Sequence, residues 1–220
     1  TLTDIGGFGG CYQFDKDKYE NPVLVSSADG VGTKLKIAFM MNQHDTIGQC
    51  LVNHCTNDIL AVGARPLFFL DYFATGKLSV DTIEEVVSGL SKACKENSCS
   101  LIGGETAEMP DFYQDGEYDI SGTIVGVVDK KHMMPMRKTN VGDLLVGLPS
   151  TGLHTNGYSL ARKALLERYH VDRYFEELDA TIGASLLSIH KSYLPVMDPI
   201  LECEWLHGIS HVTGGGLVEN

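Results

Sequence analysis

Between residues 23 and 149, stretches with the pattern of β-strands alternate with stretches that have the pattern of α-helices. Helical spacing of apolar side chains occurs twice, in segments 44–62 and 79–97, and each segment has polar residues suited to capping at its start. This order predicts an α/β (α+β) fold in layers around a mixed sheet. The predicted strands are short apolar stretches next to turn-forming residues: 23–25, 67–76, 100–104, 118–129 and 143–149.

A domain boundary is predicted near residue 149, because Pro149 and Ser150 precede a new helical pattern in segment 159–169. Residues 1–149 would form an N-terminal domain, and residues 150–220 the start of a C-terminal α/β domain. A run of glycines normally leads into an element rather than closing one. We therefore expect the second domain to be incomplete in this chain.

The chain is acidic, with a formal net charge of −12 over 220 residues. Nucleic-acid-binding proteins present a basic face, so this charge argues against nucleic acid as a partner. No apolar stretch approaches the roughly 18 residues of a membrane span, and the first ten residues do not resemble a signal peptide. Six cysteines are too sparse for a disulfide scaffold and predict free thiols in a reducing cytoplasm.

An acidic chain can bind an anion only through local groups such as backbone amides, a lysine or a bound metal ion. The sequence Asp-Gly-Val-Gly-Thr-Lys after the first strand offers several of these. Gly30 and Gly32 let the backbone approach a ligand closely. Thr33 and Lys34 can donate to phosphate oxygens, and Asp29 can hold a metal. The order of residues does not fit a Walker loop. A strand-to-helix turn that needs glycine only for its geometry would look the same.

Two further acids stand where predicted elements carry polar residues. Asp58 follows Asn57 in an otherwise apolar part of the first helix, where the pair either faces solvent or meets a cation. Glu105 follows the third strand on a glycine turn, with Gly104 and Thr106 beside it. Ligands often bind at such strand ends, although an ordinary acidic loop has the same composition.

The segment before the last predicted helix, Ser-Thr-Gly-Leu-His-Thr-Asn-Gly-Tyr-Ser, contains His154 and Asn156. Free amides at a helix start bind anions, but Asn156 also suits an N-cap and His154 an ordinary surface position. A last glycine run forms a possible phosphate-binding nest: Gly214, Gly215 and Gly216.

These motifs combine carboxylates and glycines without a basic patch. That combination suits a nucleoside triphosphate whose charge is neutralised by Mg²⁺, since Mg²⁺ takes a few carboxylates and keeps several waters. The predicted metal ligands are Asp29, Asp58 and Glu105.

Five stretches, in the same order, resemble the phosphoribosylformylglycinamidine cyclo-ligase family, the aminoimidazole ribonucleotide synthetases of purine biosynthesis. The run from residue 44 to residue 78 is far more specific than any glycine loop. Together the stretches cover nearly the whole chain: ADGVGTK at 28–34, the run 44–78, LIGGETAEMPDFY at 101–113, STGLHTNGYSL at 150–160 and HVTGGGL at 211–217.

The resemblance implies that ATP and formylglycinamidine ribonucleotide are converted to aminoimidazole ribonucleotide, ADP and phosphate. It implies a homodimer whose N-terminal domains, residues 1–149 here, bind ATP and Mg²⁺ and share a β-barrel. The nucleotide would lie in a cleft between domains, near the partner subunit. A chain of this kind would act in the cytoplasm and is sometimes fused to other purine-pathway domains.

The resemblance also assigns roles to the motifs. Phosphates would be contacted by residues of the first and third strand ends and capped by the last glycine run: Gly30, Gly32, Thr33, Lys34, Gly104, Thr106, Gly214, Gly215 and Gly216. His154 and Asn156 would face the substrate. His44 and Asp45, at the start of the first long helix, are weaker candidates for proton transfer.

Two other functions remain open at this point. One is another ATP-dependent enzyme of the same superfamily, of the formylglycinamide ribonucleotide amidotransferase, thiamine-monophosphate kinase or selenophosphate synthetase type. The other is a nucleotide-binding or dimerisation fragment without catalysis, since this chain by itself is expected to turn over weakly or not at all.

Overall fold

The structure is a computed structural model that describes residues 1–3 and 5–220, apart from the side chain of Met136. Its first half contains β1 (Pro22–Gly30), α1 (Leu35–Met41), α2 (Asp45–Ala61), β2 (Arg65–Thr75), α3 (Val80–Glu96), β3 (Ser100–Glu108) and β4 (Tyr118–Asp129). Its second half contains α4 (Tyr158–Leu166), β5 (Tyr174–Phe175), β6 (Ala180–Thr181), α5 (Ile182–Leu186), α6 (Leu194–Met197) and α7 (Gly216–Glu219). Short 3₁₀ turns lie between them, at Lys16–Lys18, Gly32–Lys34, Lys130–His132, Met134–Met136, Glu176–Leu178 and Asp198–Ile200.

The main sheet has four strands in the order β1-β4-β2-β3. The pair β2 and β3 is parallel, whereas β4 runs antiparallel to both β1 and β2. A helix connects the parallel pair, as parallel pairing requires. The prediction of a mixed α/β fold is therefore confirmed.

Helices cover one face of the sheet. Strand β1 alternates regularly between half-buried and exposed side chains, and the half-buried ones face α2. Helix α2 is buried along most of its length because it packs against the sheet and α3 and also contacts α6. The opposite face of the sheet is open in this chain and exposes apolar side chains, including Leu24 and Tyr72.

The start of α3 follows the sequence pattern. The Ser79 hydroxyl accepts a hydrogen bond from the Thr82 amide, as a capping serine does. The helical pattern in segment 159–169 corresponds to α4.

The prediction of a strand at 143–149 is wrong. No strand is assigned there, and Leu144, Leu145 and Val146 are almost fully exposed. Short apolar runs form strands only where a neighbouring strand supplies hydrogen bonds, and within the described residues this one has no such neighbour.

The sheet is open rather than closed, with β1 and β3 as its edges. The predicted dimeric barrel is therefore not present in one chain and stays a prediction. None of the helices in the described part of the chain has the length and apolar character needed to cross a membrane.

Candidate functional site

Histidines and aspartates cluster where the end of β1 meets the second half of α2. Three other parts of the chain contribute to this cluster: the loops around residues 150–157 and 187–193, and the segment before the last glycine run. Ring centroids of neighbouring histidines lie 4.1 to 5.5 Å apart. We call this group the histidine–aspartate cluster: Asp29, His54, Asp58, His154, His190 and His211.

The first three members come together through regular secondary structure. His54 and Asp58 are one helical turn apart on α2 and share a face. Alternation along β1 turns Ser27 and Asp29 toward that face. His54 Nε2 lies 2.8 Å from Asp29 Oδ2 and 3.9 Å from Asp58 Oδ2, and the Ser27 hydroxyl donates to Asp58 Oδ2 at 2.8 Å.

Buried hydrogen bonds fix the ring of His190. The Asn57 amide donates to His190 Nε2 at 3.0 Å and to the carbonyl of Lys191 at 2.8 Å, while its oxygen accepts from the Tyr193 amide. Nε2 of His190 is therefore an acceptor, which places the ring proton on Nδ1, 3.3 Å from the Thr155 hydroxyl oxygen.

The same threonine fixes His54. Its hydroxyl is in short contact with His54 Nδ1, and with that nitrogen as acceptor the proton of His54 lies on Nε2, pointing at Asp29. A continuous set of hydrogen bonds thus joins His190, Thr155, His54 and Asp29.

His211 enters from a distant part of the chain. Its Nδ1 lies 2.8 Å from Asp58 Oδ1 across a separation of 153 residues. The following glycine run consequently lies near the cluster, and a Cβ on Gly214 would sit 3.5 Å from Asn156 Oδ1. The end of the chain and the loop of His154 therefore face the same site.

The electrostatics of the cluster separate its imidazoles from its acids. Burial lowers the pKa of His54 despite the opposing effect of Asp29, so their contact is a hydrogen bond from a neutral ring. Burial and Lys34 lower the pKa of His154 to about 4, and burial with His154 lowers the pKa of His190 further. Burial alone would raise the pKa of Asp58, but hydrogen bonds from His211 and Ser27 hold it below its usual value.

Lys34 does not lie on the open side of this site. Its side chain is fully buried, and its Nζ donates to the carbonyls of His154 at 3.0 Å and Ser188 at 2.6 Å and contacts Cys50 Sγ at 3.1 Å. All of its donors are engaged, so the expected contact with phosphate is replaced by a structural role. Gly32 and Thr33 stay exposed beside it.

The structure does not bring Glu105 to the two aspartates. Residues paired directly opposite one another form a row across the sheet: Asp29, Gly122, Asp71 and Gly104. Glu105 follows Gly104 on β3, so its backbone lies roughly 14 Å from that of Asp29 by strand spacing. Because side chains alternate along a strand, Glu105 also points to the open face. Gly104 and Thr106 lie on the same distant strand.

Gly104 has a packing reason to be glycine, because a Cβ there would lie 2.3 Å from the carboxylate of Asp71. Asp71, and not Glu105, is the acid of this region on the same face as Asp29. Burial raises the pKa of Asp71.

His44 and Asp45 lie at the far end of α2, about 20 Å along the helix from Asp58. His44 is buried, its Nδ1 is 3.1 Å from the Tyr118 hydroxyl, and burial lowers its pKa. Both residues are thus separate from the histidine–aspartate cluster.

Sequence reasoning missed His54, His190 and His211 and left open whether Asn57, which is buried in the structure, faces solvent. One signal was available for His54, since a histidine and an aspartate four residues apart share a helical face. His190 has no such local signal. Its contact with Asn57 spans 133 residues.

A cleft of about 650 Å³ lies at the opposite end of the sheet. Lys18, Arg65, Asp129 and Glu202 are among its lining residues, and no member of the cluster lines it. The cluster is the better candidate site because it combines buried titratable groups with perturbed pKa values.

Comparisons with known proteins relate the chain to one protein family. The family model for the N-terminal domain of AIR synthase related proteins matches residues 10–128, and the model for their C-terminal domain matches residues 140–220. A phosphoribosylformylglycinamidine cyclo-ligase of Alkaliphilus metalliredigens is 52% identical, and one of Syntrophotalea carbinolica is 54% identical. Each alignment covers 100% of this chain but only 64% and 63% of those relatives, so the chain spans less than two thirds of their length.

A solved structure of AaThiL complexed with AMPPCP and TMP resembles the chain at a TM-score of 0.52. The sequence identity is 17%, and the match covers 82% of this chain and 53% of that one. At this identity the likeness concerns the fold alone.

Proposed function

The chain belongs to the AIR synthase related family, and from this membership we propose that it forms part of an ATP-dependent cyclo-ligase. The reaction is ring closure of formylglycinamidine ribonucleotide to aminoimidazole ribonucleotide, with release of ADP and phosphate. The names of relatives about half identical over the whole chain support this activity.

The observation that carries the proposal is the convergence of Asp29 and Asp58 on one nitrogen of His54. One carboxylate lies at the end of β1, followed by Gly30 and Gly32, and the other lies on α2. This pair suits Mg²⁺ bound to a triphosphate, since Mg²⁺ usually takes one or two carboxylates and completes its shell with waters and phosphates. Asp29 and Asp58 would hold the ion, which would neutralise phosphate charge. Glu105 is not part of this set within one chain.

The remaining residues position the reactants. The amides after Asp29 and the Thr33 hydroxyl would contact phosphates. Asn156 and Gly214 lie close together, and the run Gly214–Gly216 would cap the phosphates. His154 is neutral at physiological pH because of its lowered pKa. It would therefore hydrogen-bond the substrate rather than neutralise an anion.

The reaction needs activation of a poor leaving group. The formyl oxygen attacks the γ-phosphorus of ATP and displaces ADP. The amidine nitrogen then attacks the formyl carbon, and the formyl oxygen leaves with the phosphoryl group as phosphate. Both steps require mainly positioning and charge stabilisation from the protein.

The family matches, one ending at residue 128 and the next beginning at residue 140, support a division of the chain into two domains. The open apolar face of the four-stranded sheet supports a homodimer in which two such sheets close a barrel.

The test separates binding from turnover. Calorimetry of this chain with ATP and Mg²⁺ should show binding that weakens strongly in Asp58→Asn, whereas Asp143→Asn, a distant acid paired with a histidine, should bind normally. In the complete polypeptide, mass analysis should detect the dehydrated, cyclised product. A phosphorylated substrate without ring closure would indicate a kinase and contradict the proposal.

A further inference from the structure

Three potential metal-ligating atoms of the cluster lie within 4.8 Å of one another. They belong to His54, Asp58 and His211, two from α2 and one from the segment before the last glycine run. Two imidazoles and one carboxylate differ from the all-oxygen ligand set that Mg²⁺ prefers. Imidazole nitrogen is a ligand of Zn²⁺, Co²⁺, Ni²⁺ and Fe²⁺ instead.

We propose that His54, Asp58 and His211 form a binding site for a divalent first-row transition ion such as Zn²⁺ or Co²⁺. The ligands are His54 Nε2, His211 Nδ1 and a carboxylate oxygen of Asp58. The site shares Asp58 with the Mg²⁺ site proposed above, but its occupation does not depend on nucleotide or on ring closure.

The spacing of the three groups needs little adjustment. Metal–nitrogen and metal–oxygen bonds of about 2.0–2.2 Å place neighbouring ligand atoms about 3 Å apart. His211 Nδ1 already lies 2.8 Å from Asp58 Oδ1, and His54 Nε2 lies 3.9 Å from Asp58 Oδ2. The nitrogens of His54 and His211 lie within 4.8 Å of each other, so side-chain shifts on the order of 1 Å would bring all three ligand atoms to bonding distance of one ion.

Hydrogen bonds with neighbouring side chains orient His54 and Asp58, as is usual around metal-binding histidines. The second nitrogen of a metal-bound histidine is normally hydrogen-bonded, and His54 Nδ1 contacts the Thr155 hydroxyl. When Nε2 binds the metal, the ring proton moves to Nδ1 and is donated to Thr155. The Ser27 hydroxyl orients Asp58.

Charge and access also fit. Asp29 lies 2.8 Å from His54 Nε2 and adds a second carboxylate beside the ion. The side chain of His54 is almost fully buried, whereas that of Asp58 is 26% exposed. The ion can thus reach the site from the side of Asp58.

The test is a titration of the chain with Co²⁺ and Zn²⁺ alone, without nucleotide, followed by visible absorption and calorimetry. A Cys11→Ser, Cys203→Ser background removes the two cysteines that are not buried. We expect one ion per chain and a visible spectrum of protein-bound Co²⁺. His211→Gln and His54→Gln should each weaken binding by about tenfold or more, and Thr155→Val should weaken it by a similar factor.

The matched control is His207→Gln. His207 forms a partly exposed histidine–aspartate pair with Asp143 at 2.8 Å, and among the described residues no third metal-ligating group joins this pair. Its loss should leave binding unchanged. His211 lies outside the helices and the sheet, so its variant tests the site even if His54→Gln fails to fold.

Three results would overturn the proposal: no stoichiometric binding, binding indifferent to His211→Gln, or displacement of Co²⁺ by an equal concentration of Mg²⁺. Because nucleotide and substrate are absent, failure of the cyclo-ligase function would leave this measurement unaffected.

Discussion

Lys34 shows how strongly one residue can depend on the rest of the chain. Its ammonium group is buried and donates to two carbonyls that lie 120 and 154 residues away. Burial lowers its pKa, and the ring of Tyr158 lies 5.4 Å from Nζ. Through these hydrogen bonds, Lys34 connects the loops of His154 and Ser188 to the first half of the molecule.

Lys34→Met should lower the free energy of unfolding by about 2–4 kcal/mol, because it leaves buried carbonyls without a donor. Urea denaturation measures the change. Lys36→Met is the control, since Lys36 is partly exposed and has the single acidic partner Glu117; its cost should stay below about 1 kcal/mol. Equal stability of Lys34→Met and wild type would contradict the assigned role.

The lowered pKa of His154 predicts acid sensitivity. Its pKa is about 4 in the folded protein against an ordinary value of 6.5, so the unfolded chain binds more protons in that interval. The contribution of neutral His154 to the free energy of unfolding is fully present above pH 6.5 and is lost as pH falls toward 4. His190, whose pKa is also lowered, acts in the same direction.

Unfolding free energies measured across this interval should therefore decrease with falling pH. His154→Asn should reduce the slope, whereas His170→Asn, at an exposed position, should not. A pH-independent wild-type stability would show that the histidines titrate normally.

At the level of elements, the crossing of α2 and α3 is decided by two glycines. A Cβ on Gly48 would lie 2.2 Å from the Val86 carbonyl, and one on Gly89 would lie 2.4 Å from the Asp45 carbonyl. The backbones of the two helices therefore approach closely, and this approach sets how α2 presents His54 and Asp58 to β1.

Gly48→Ala tests this close contact through the sign of its effect on stability. In an ordinary helix the change stabilises by up to about 1 kcal/mol, but here it should destabilise by about 1–3 kcal/mol through overpacking. Ser88→Ala, on the exposed face of α3, should be neutral or slightly stabilising. Thermal unfolding of both variants gives the comparison, and a stabilised Gly48→Ala would refute the close crossing.

At the level of the whole molecule, the open face of the sheet is the surface that its helices leave uncovered. Leu24 is 64% exposed there, and Tyr72 is 38% exposed. An uncovered apolar face of this kind marks an interaction surface, which agrees with the proposed dimeric barrel.

Leu24→Glu should convert the proposed dimer to monomer, because it places a charge inside the barrel. Leu160→Glu is the control, since Leu160 is similarly exposed but lies on α4, away from the sheet. Analytical ultracentrifugation of both variants distinguishes the outcomes. Dimers that persist in Leu24→Glu would place the interface elsewhere.

Local periodicity and composition were enough to predict the long helices, the β2 and β4 strands and the mixed sheet. These features depend on residues close together in the sequence, where side-chain spacing directly reflects helix or strand geometry. The strand predicted at 143–149 failed because pairing depends on a partner that the segment itself does not specify.

Only the tertiary structure decided which side chains meet. It placed His190 and His211 beside α2 across more than 130 residues, buried Lys34, and put Asp71 rather than Glu105 on the face of Asp29. Such contacts depend on the path of the whole chain and on the packing of helices against one face of the sheet. The sequence of any single segment does not encode them.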